Sequence, residues 1–202
     1  MFSGFISSRH LRAIGVFLAL AGLLVLPGCW VTSISGLSEQ GLWHGDPDLI
    51  FNEGMIGTWQ ETSDNCLIVL TVTAKDRIYT LHTIEQGDNC DDKGKTYHNE
   101  AELFKLGDHL FLDVWPEDLC EPCLALHWIF LVRLDGNSLS LTPIDSDWLK
   151  NAMEQGTVTL TTMPGDTDTL TASPRELKAF CRKYADDKSA FKPDPGLVFK
   201  KK

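Results

Sequence analysis

The stretch Leu124-Ala125-Leu126-His127-Trp128-Ile129-Phe130-Leu131-Val132-Arg133-Leu134 decides the fold. Large apolar residues stand at every second position from Leu124 to Leu134, and they share one face of an extended chain because side chains alternate across a β-strand. Asp135-Gly136-Asn137 follows directly and has the residue chemistry of a tight hairpin turn. The segment 138–144 then returns as the partner strand. The stretch therefore predicts an antiparallel hairpin with one buried face.

Similar β-type runs recur on both sides of this hairpin, separated by short turns rich in Gly, Asp and Asn. They cover residues 55–61, 66–74, 77–84, 95–106, 109–115, 124–134 and 138–144, with weaker runs at 157–162 and 167–171. Short turns favour antiparallel neighbours, because parallel strands need long crossover connections. A sheet of this size removes its exposed edges by closing. The prediction is a mainly β protein, an antiparallel meander barrel.

Two helices are predicted beside the strands. The first is short and follows Asp145-Ser146; its apolar stripe is Trp148, Leu149, Ala152 and Met153. The second is C-terminal: Ser173 is the N-cap, Pro174 suits the first helical position and Glu176 completes a capping box. The apolar stripe of this helix is Leu177, Phe180, Cys181 and Tyr184. We expect the stripe to pack on the outside of the barrel, the domain to span residues 54–191, and residues 192–202 to form a flexible tail.

The N-terminus has the pattern of a secretory signal peptide over residues 1–28. Arg9 and Arg12 precede an apolar or small run over 13–26, which is too short to span a bilayer. Leu26-Pro27-Gly28-Cys29 resembles a bacterial lipobox, whose cysteine is acylated and becomes the first mature residue. This resemblance implies lipidation at Cys29, and Trp30 in place of an inner-membrane retention Asp favours the outer membrane, facing the periplasm. Residues 29–53 are then expected to form a lipidated N-terminus and flexible tether.

The charge balance limits the possible partners. The chain has 202 residues, a formal net charge of −10 and a pI near 4.9. Loss of residues 1–28 would remove two arginines and no acidic residue, which leaves −12. Phosphate affinity depends on clustered basic residues, so nucleic-acid binding is not expected. Anionic lipid would repel such a domain, so the expected membrane contact is the lipid anchor.

Gly57-Thr58-Trp59 on the first predicted strand resembles the Gly-x-Trp signature of lipocalins. From Gly57 to about residue 191 the chain is similar to lipocalin-like bacterial lipoproteins of uncharacterised function; the matching stretches are 111–116, the Leu-rich strand through His127, 145–149 and 170–180. The resemblance implies a barrel around a small apolar or amphiphilic ligand. It also implies a late-strand Arg stacked on Trp59, for which Arg133 is the candidate.

Aromatic side chains are the candidate ligand contacts. They are Trp59, Tyr79, Phe104, Phe111, Trp115, Trp128 and Phe130. The same side chains could instead fill the interior, because an eight-stranded barrel is either packed solid or just wide enough for one small ligand. The alternative function is therefore a structural or partner-binding envelope lipoprotein with a filled barrel.

Cysteines carry the remaining chemical signal. Six are present, and Cys29 is assigned to lipidation, so an odd number remains for an oxidising compartment. A hairpin about Lys75-Asp76 brings Cys66 opposite residue 85, which puts Cys90 within reach of a bridge. Cys120 and Cys123 are candidates for a local disulfide. Cys181 lies on the helical stripe as a candidate free core thiol.

The Cys-x-x-Cys motif at Cys120 and Cys123 leaves a redox or metal module open as a further alternative. A redox pair needs a lowered thiolate pKa, usually at a helix N-terminus, and this motif leads into a strand. Zinc needs four ligands. His82, His98, His109 and His127 lie scattered on different strands. No nucleophile, zinc-protease or nucleotide-binding fingerprint is present. We predict no enzyme activity, no metal and no cofactor.

Overall fold

The computed structural model describes residues 30–38, 45–63, 65–88, 90, 93–117, 126–192 and 196–202. The predicted signal peptide, Cys29, Cys120 and Cys123 lie outside these residues. In the described part of the chain, no helix combines the length and apolar character needed to cross a bilayer.

The described residues form twelve strands, two α-helices and a 3-10 turn. The strands are β1 (Thr32–Ser33), β2 (Leu49–Ile50), β3 (Gly57–Ser63), β4 (Cys66–Lys75), β5 (Ile78–Gln86), β6 (Thr96–Leu106), β7 (His109–Pro116), β8 (Trp128–Asp135), β9 (Ser138–Pro143), β10 (Thr162–Met163), β11 (Asp166–Leu170) and β12 (Leu197–Lys201). The 3-10 turn is Glu53–Met55, and the helices are α1 (Ser146–Glu154) and α2 (Pro174–Tyr184).

Eight of these strands close into an antiparallel barrel, as predicted. The order around the wall is β3-β4-β5-β6-β7-β8-β9-β12, and β12 returns to β3. β2 pairs with the edge of β6 outside the barrel. β1, β10 and β11 form a separate small sheet, in which β1 runs parallel to β11. The weaker runs predicted at 157–162 and 167–171 therefore contribute short strands to the small sheet, not to the barrel wall.

Tight hairpins define one end of the barrel, which we call the hairpin end. Asp76 and Arg77 connect β4 to β5 with φ of 51° and 71°. Gly107 and Gly136 take φ of 68° and 49° in the next two hairpins. These left-handed conformations match the twist of the flanking strands. The opposite end holds the bond between Cys66 and Cys90, and we call it the disulfide end.

The two faces of the wall bury two separate apolar clusters. Met55, Trp59, Tyr79, Phe130 and Phe199 belong to the interior cluster, each at most 1% exposed. On the outer face, apolar residues of β6, β7 and β8 pack against both helices.

The C-terminal helix packs on the outside of the barrel as predicted. Ser173 and Glu176 form the expected capping box at its N-terminus. Leu177, Phe180 and Cys181 are buried in the outer cluster. Burial of this stripe fixes α2 on the wall because apolar area is removed from water on both partners.

The prediction of a flexible tail over residues 192–202 was wrong for Leu197–Lys201, which form β12. β12 fills the place between β9 and β3 and completes the wall. Leu197 and Phe199 point into the interior cluster, whereas Val198 between them is 46% exposed. The alternation in this segment is short, and the flanking lysines and prolines are not typical of a strand. The strand forms because the open edges of β3 and β9 supply its hydrogen-bonding partners.

The prediction of a flexible tether over residues 29–53 was also wrong for residues 30–38, which are packed on the domain. Val31, Ser33 and Leu37 are buried, and β1 pairs with β11. Ser33 also exchanges two backbone hydrogen bonds with His127, at 2.9 and 2.8 Å. We call residues 30–37 the N-terminal strap, because they are fastened across the outer wall.

Candidate functional site

Toward the hairpin end, large side chains that are at most 1% exposed occupy the interior of the barrel. Trp59 donates its indole N–H to the carbonyl oxygen of Met55 at 2.9 Å. The hydroxyl of Tyr79 accepts the backbone N–H of Asn52 at 2.7 Å and donates to the Asn52 carbonyl at 3.2 Å. Every polar atom of these large side chains therefore has a partner. This half of the interior is built as core.

The seven aromatic residues predicted to contact a ligand divide between the two faces of the wall. Trp59, Tyr79, Trp128 and Phe130 lie in the interior cluster. Phe104 and Phe111 lie in the outer cluster, beneath the helices. Trp115 is on the outer face as well, where its indole N–H donates to Glu100 at 3.0 Å. The prediction that all seven line one pocket was wrong, because neighbouring positions on a strand point to opposite faces.

Polar side chains enter the interior toward the disulfide end. Thr83 and Glu85 continue the inward face of β5 beyond Tyr79 and Leu81, and they are 2% and 6% exposed. Asn99 shares the inward face of β6 with Ala101 and Leu103 and is 3% exposed. Burial also raises the pKa of the Glu61 carboxyl on β3. We call Glu61, Thr83, Glu85 and Asn99 the inner polar site.

Two buried donors at this end have no acceptor within the described residues. They are Nδ2 of Asn99 and Nε1 of Trp30. Trp30 packs on the interior cluster, with its ring edge-on to Phe130 at a centroid distance of 5.4 Å. An unsatisfied buried N–H costs about 1–3 kcal/mol, so such atoms are uncommon in a folded protein.

The wall is most loosely paired beside the inner polar site. In the described part of the chain, the register between β3 and β12 consists of Gln60 with Lys200 and Trp59 with Lys201. The residues of β12 before Lys200 pair with β9. This leaves a seam along the last residues of β3, from Glu61 to Ser63, at the disulfide end.

The predicted bridge between Cys66 and Cys90 is confirmed, with a Cα–Cα distance of 5.0 Å. It ties the start of β4 to the loop between β5 and β6. Both sulfurs also lie near the Glu85 carboxylate, within 4.8 Å. Because the disulfide uses both sulfurs, this group has no thiolate to offer a metal.

A cation covers Trp59, but it is not the residue that the lipocalin resemblance implies. Nζ of Lys201 lies 5.0 Å from the centroid of the Trp59 ring. Arg133, the candidate, is exposed on β8, where the alternation points it outward. Lys201 takes the position because β12 is the strand that lies beside β3.

A second polar cluster lies on the outer face, beneath the N-terminal strap. Asp113 on β7 is 1% exposed, and its Oδ1 lies 2.7 Å from Nδ1 of His127. Its Oδ2 accepts the backbone N–H of Leu37 at 2.6 Å. A Cβ on Gly36 would lie 2.4 Å from the same carboxylate, so the strap approaches at a distance that only glycine allows. We call Asp113, His127, Glu102, Asp46 and Lys178 the outer polar cluster.

Lys178 of α2 joins the other side of this cluster. Its ammonium donates to both oxygens of Asp46 at 2.6 Å and to Asp48 at 3.0 Å. It also lies over the Phe104 ring at 5.3 Å. Arg182 donates to Asp48 at 2.7 Å. These contacts fix α2 to the segment before β2.

Charges in this cluster shift two pKa values upward. Burial, together with the charges of Asp113 and Asp46, raises the pKa of Glu102 to about 7. Burial alone would lower the pKa of His127, but the hydrogen bond and charge of Asp113, with the charge of Glu102, raise it. The pair formed by His127 and Asp113 is therefore held in its charged form over a wider pH range than an isolated histidine.

The outer polar cluster lacks an accessible nucleophile among the described residues. Cys181 lies nearby on α2 but is fully buried, and burial raises the pKa of its thiol well above the ordinary value. The expectation that it is a free core thiol is confirmed. The hydrogen bonds of Asp113 join separate segments of the protein, so the outer polar cluster has the chemistry of a structural site.

Sequence reasoning missed Asn99, Trp30 and the pairing of Asp113 with His127. Alternation along β6 carries the signal for Asn99, since it shares parity with Ala101 and Leu103. Asp113 stands between Leu112 and Val114 on the opposite parity. No pattern in the sequence indicates that Trp30 folds back over the barrel, because its contact with Phe130 spans 100 positions of the chain.

Comparison with protein-family models, with curated proteins and with solved structures found no match.

Proposed function

We propose that this chain is a lipid-anchored protein of the bacterial cell envelope whose barrel binds a small amphiphilic ligand. The anchor is Cys29, and the location is the outer membrane, facing the periplasm. The ligand is bound without a chemical step. Its polar group lies at the inner polar site, and its apolar part lies against Trp128 and Phe130.

The observation that carries this proposal is the amide donor of Asn99, which has no acceptor within the described residues. A filled structural barrel gains nothing from a polar side chain in its interior, since burial of an unpaired donor costs stability. A ligand oxygen would accept that donor, and the indole N–H of Trp30 lies at the same end. The carboxyl group of Glu61 would disfavour an anion there. The chemistry fits a neutral acceptor group, such as the carbonyl or hydroxyl of an ester, amide or alcohol.

The packed hairpin end limits the size of the ligand. Trp59, Tyr79 and Phe199 occupy that half of the interior with at most 1% exposure. The same packing favours the alternative, a structural or partner-binding lipoprotein with a filled barrel. The redox or metal alternative at Cys120 and Cys123 concerns residues outside the described part of the chain and is addressed by counting thiols in the native protein.

Native mass spectrometry of the full-length protein, purified from its own host membranes, tests the proposal. The expected spectrum contains an acyl mass on the mature chain and a released neutral amphiphile in near-stoichiometric amount. Asn99→Leu should lose that amphiphile, whereas Asn151→Leu, the same exchange on the exposed face of α1, should keep it. A wild-type protein without bound small molecule would reject ligand binding and leave the filled barrel.

A further inference from the structure

A single peptide bond separates Cys29, the proposed anchoring position, from Trp30, the first packed residue of the strap. Trp30 follows Cys29 directly, and it is already packed on Phe130 and on the interior cluster. Consecutive Cα atoms are about 3.8 Å apart, so Cys29 lies one such step from a packed side chain.

The residues after Trp30 are held at several independent points. Val31 is buried in the outer cluster, Ser33 pairs with His127 and with Leu170, and the Leu37 N–H binds Asp113. Release of the strap would expose apolar surface and leave the buried Asp113 carboxylate without its donor. Such a segment does not act as a free spacer.

The position of Trp30 along the barrel axis is also defined. Ser33 bonds His127 immediately before β8 begins, and β8 begins at the disulfide end. Trp30 therefore enters the barrel through that end. The wall strand β4, which runs from the disulfide end to the hairpin end, has 10 residues. At roughly 3.3 Å per residue and a tilt of about 40°, the hairpin end lies roughly 25 Å further along the axis.

We propose that the disulfide end of the barrel rests directly against the lipid surface, with the hairpin end pointing away from it. This inference rests on the lipid anchor of the proposed function and goes beyond it, because it assigns a membrane-contacting face to the folded domain. It replaces a domain that moves freely on a tether with one of fixed orientation. It also places the inner polar site and the seam beside β3 next to the bilayer, from which an amphiphile can pass into the barrel without crossing water.

Site-specific photo-crosslinking to lipid measures the orientation. A benzophenone side chain is placed at Gln86, exposed at the disulfide end, or at Asp108, exposed in a turn of the hairpin end. The acylated mature protein is reconstituted in phosphatidylcholine vesicles. We expect the lipid adduct at position 86 to exceed that at position 108 at least fivefold. Equal yields, or a larger yield at position 108, would overturn the proposal.

A spacer variant separates the orientation from the presence of the anchor. About 15 Gly and Ser residues inserted between Cys29 and Trp30 span roughly 20 Å as a flexible chain, so the difference between the two positions should disappear. If the spacer leaves the difference intact, the short link is not its cause and the proposal fails. Mass spectrometry of the same samples reports the acyl groups. An unmodified Cys29 overturns the anchor and the orientation together, whereas acylated protein with equal adducts overturns the orientation alone.

Discussion

The outer polar cluster and the inner polar site lie on opposite faces of the same wall, and their buried polar groups differ in hydrogen bonding. On the outer face, the Asp113 carboxylate has His127 on one oxygen and the Leu37 N–H on the other. On the inner face, Asn99 is almost as deeply buried, yet its amide donor has no partner within the described residues.

This difference separates a structural group from the group that the proposed function assigns to the ligand. The partners of Asp113 come from the strap and from β8, so its hydrogen bonds join elements that are distant in sequence. The side-chain amide donor of Asn99 joins no other element within the described residues. In the proposed function, this donor is the contact for a ligand oxygen.

Asp113→Ala should produce the largest effect of the substitutions on the two regions. It leaves the imidazole of His127 and the N–H of Leu37 unpaired in a buried place, so we expect a loss of about 3–5 kcal/mol in the free energy of unfolding. Urea denaturation measures it. Asp108→Ala, in an exposed turn, is the matched control and should stay within about 0.5 kcal/mol. If the loss of unfolding free energy at Asp113 is no larger than at Asp108, the outer polar cluster does not stabilise the fold.

Replacing Cys66 and Cys90 together by Ser tests how much the disulfide stabilises the end of the barrel that holds the inner polar site. The bridge closes 24 residues of sequence separation, so the unfolded chain gains freedom and stability should fall by about 3 kcal/mol. The midpoint of thermal unfolding with and without reductant checks this. Reductant should destabilise the parent and leave the double variant unchanged. Equal responses of both proteins would show that the bridge contributes nothing.

Glu102→Gln probes the pH dependence of the outer cluster. The folded-state pKa of Glu102, about 7, lies above the ordinary value of 4.5, so the folded protein loses stability as the pH rises through that interval. Glutamine has no proton to lose. The variant should therefore match the parent at pH 5 and exceed it by about 2–3 kcal/mol at pH 8, as measured by urea denaturation at each pH. The raised pKa of His127 shifts stability in the same direction in both proteins. Parallel pH profiles would contradict the assignment.

Asn99→Leu should have the smallest effect on stability. It removes an unpartnered amide and keeps a similar volume, so the free energy of unfolding should be unchanged or about 1 kcal/mol higher. Thr83→Val in the same site provides a second near-isosteric comparison. The measurement is urea denaturation of ligand-stripped protein. A loss of more than about 2 kcal/mol at Asn99 would show that its amide has a structural partner, and the contrast with Asp113 would disappear.

Features that depend on short sequence distances were predictable. The hairpin about Asp76 and the capping box at Ser173 each involve residues that are close along the chain. The bridge between Cys66 and Cys90 followed from the same logic, because one hairpin sets the register that brings both within reach. The closed antiparallel barrel followed from many such hairpins in succession.

Features that depend on which side of the wall a residue occupies were predicted less well. Phe104 and Phe111 are as apolar as Trp59, and composition does not tell the inner face from the outer when both are buried. Alternation of apolar and polar residues no longer distinguishes the two faces of the wall once helices and the strap cover the outer face. Lys201 was not predicted as the cation over Trp59 for a related reason. Its strand, β12, forms by pairing with β3 and β9, so the position of Lys201 depends on both of those strands.

The sequence by itself determined seven of the eight wall strands, their hairpin turns, the two helices and one disulfide, because each arises from contacts within a single hairpin or helical turn. Only the tertiary structure decided that the C-terminal segment closes the wall, that the N-terminal strap is packed, that Asp113 is paired and that the Asn99 amide has no acceptor within the described residues. These four outcomes depend on segments separated by many residues, and such segments meet only after the barrel has closed and each face of its wall has acquired its own neighbours.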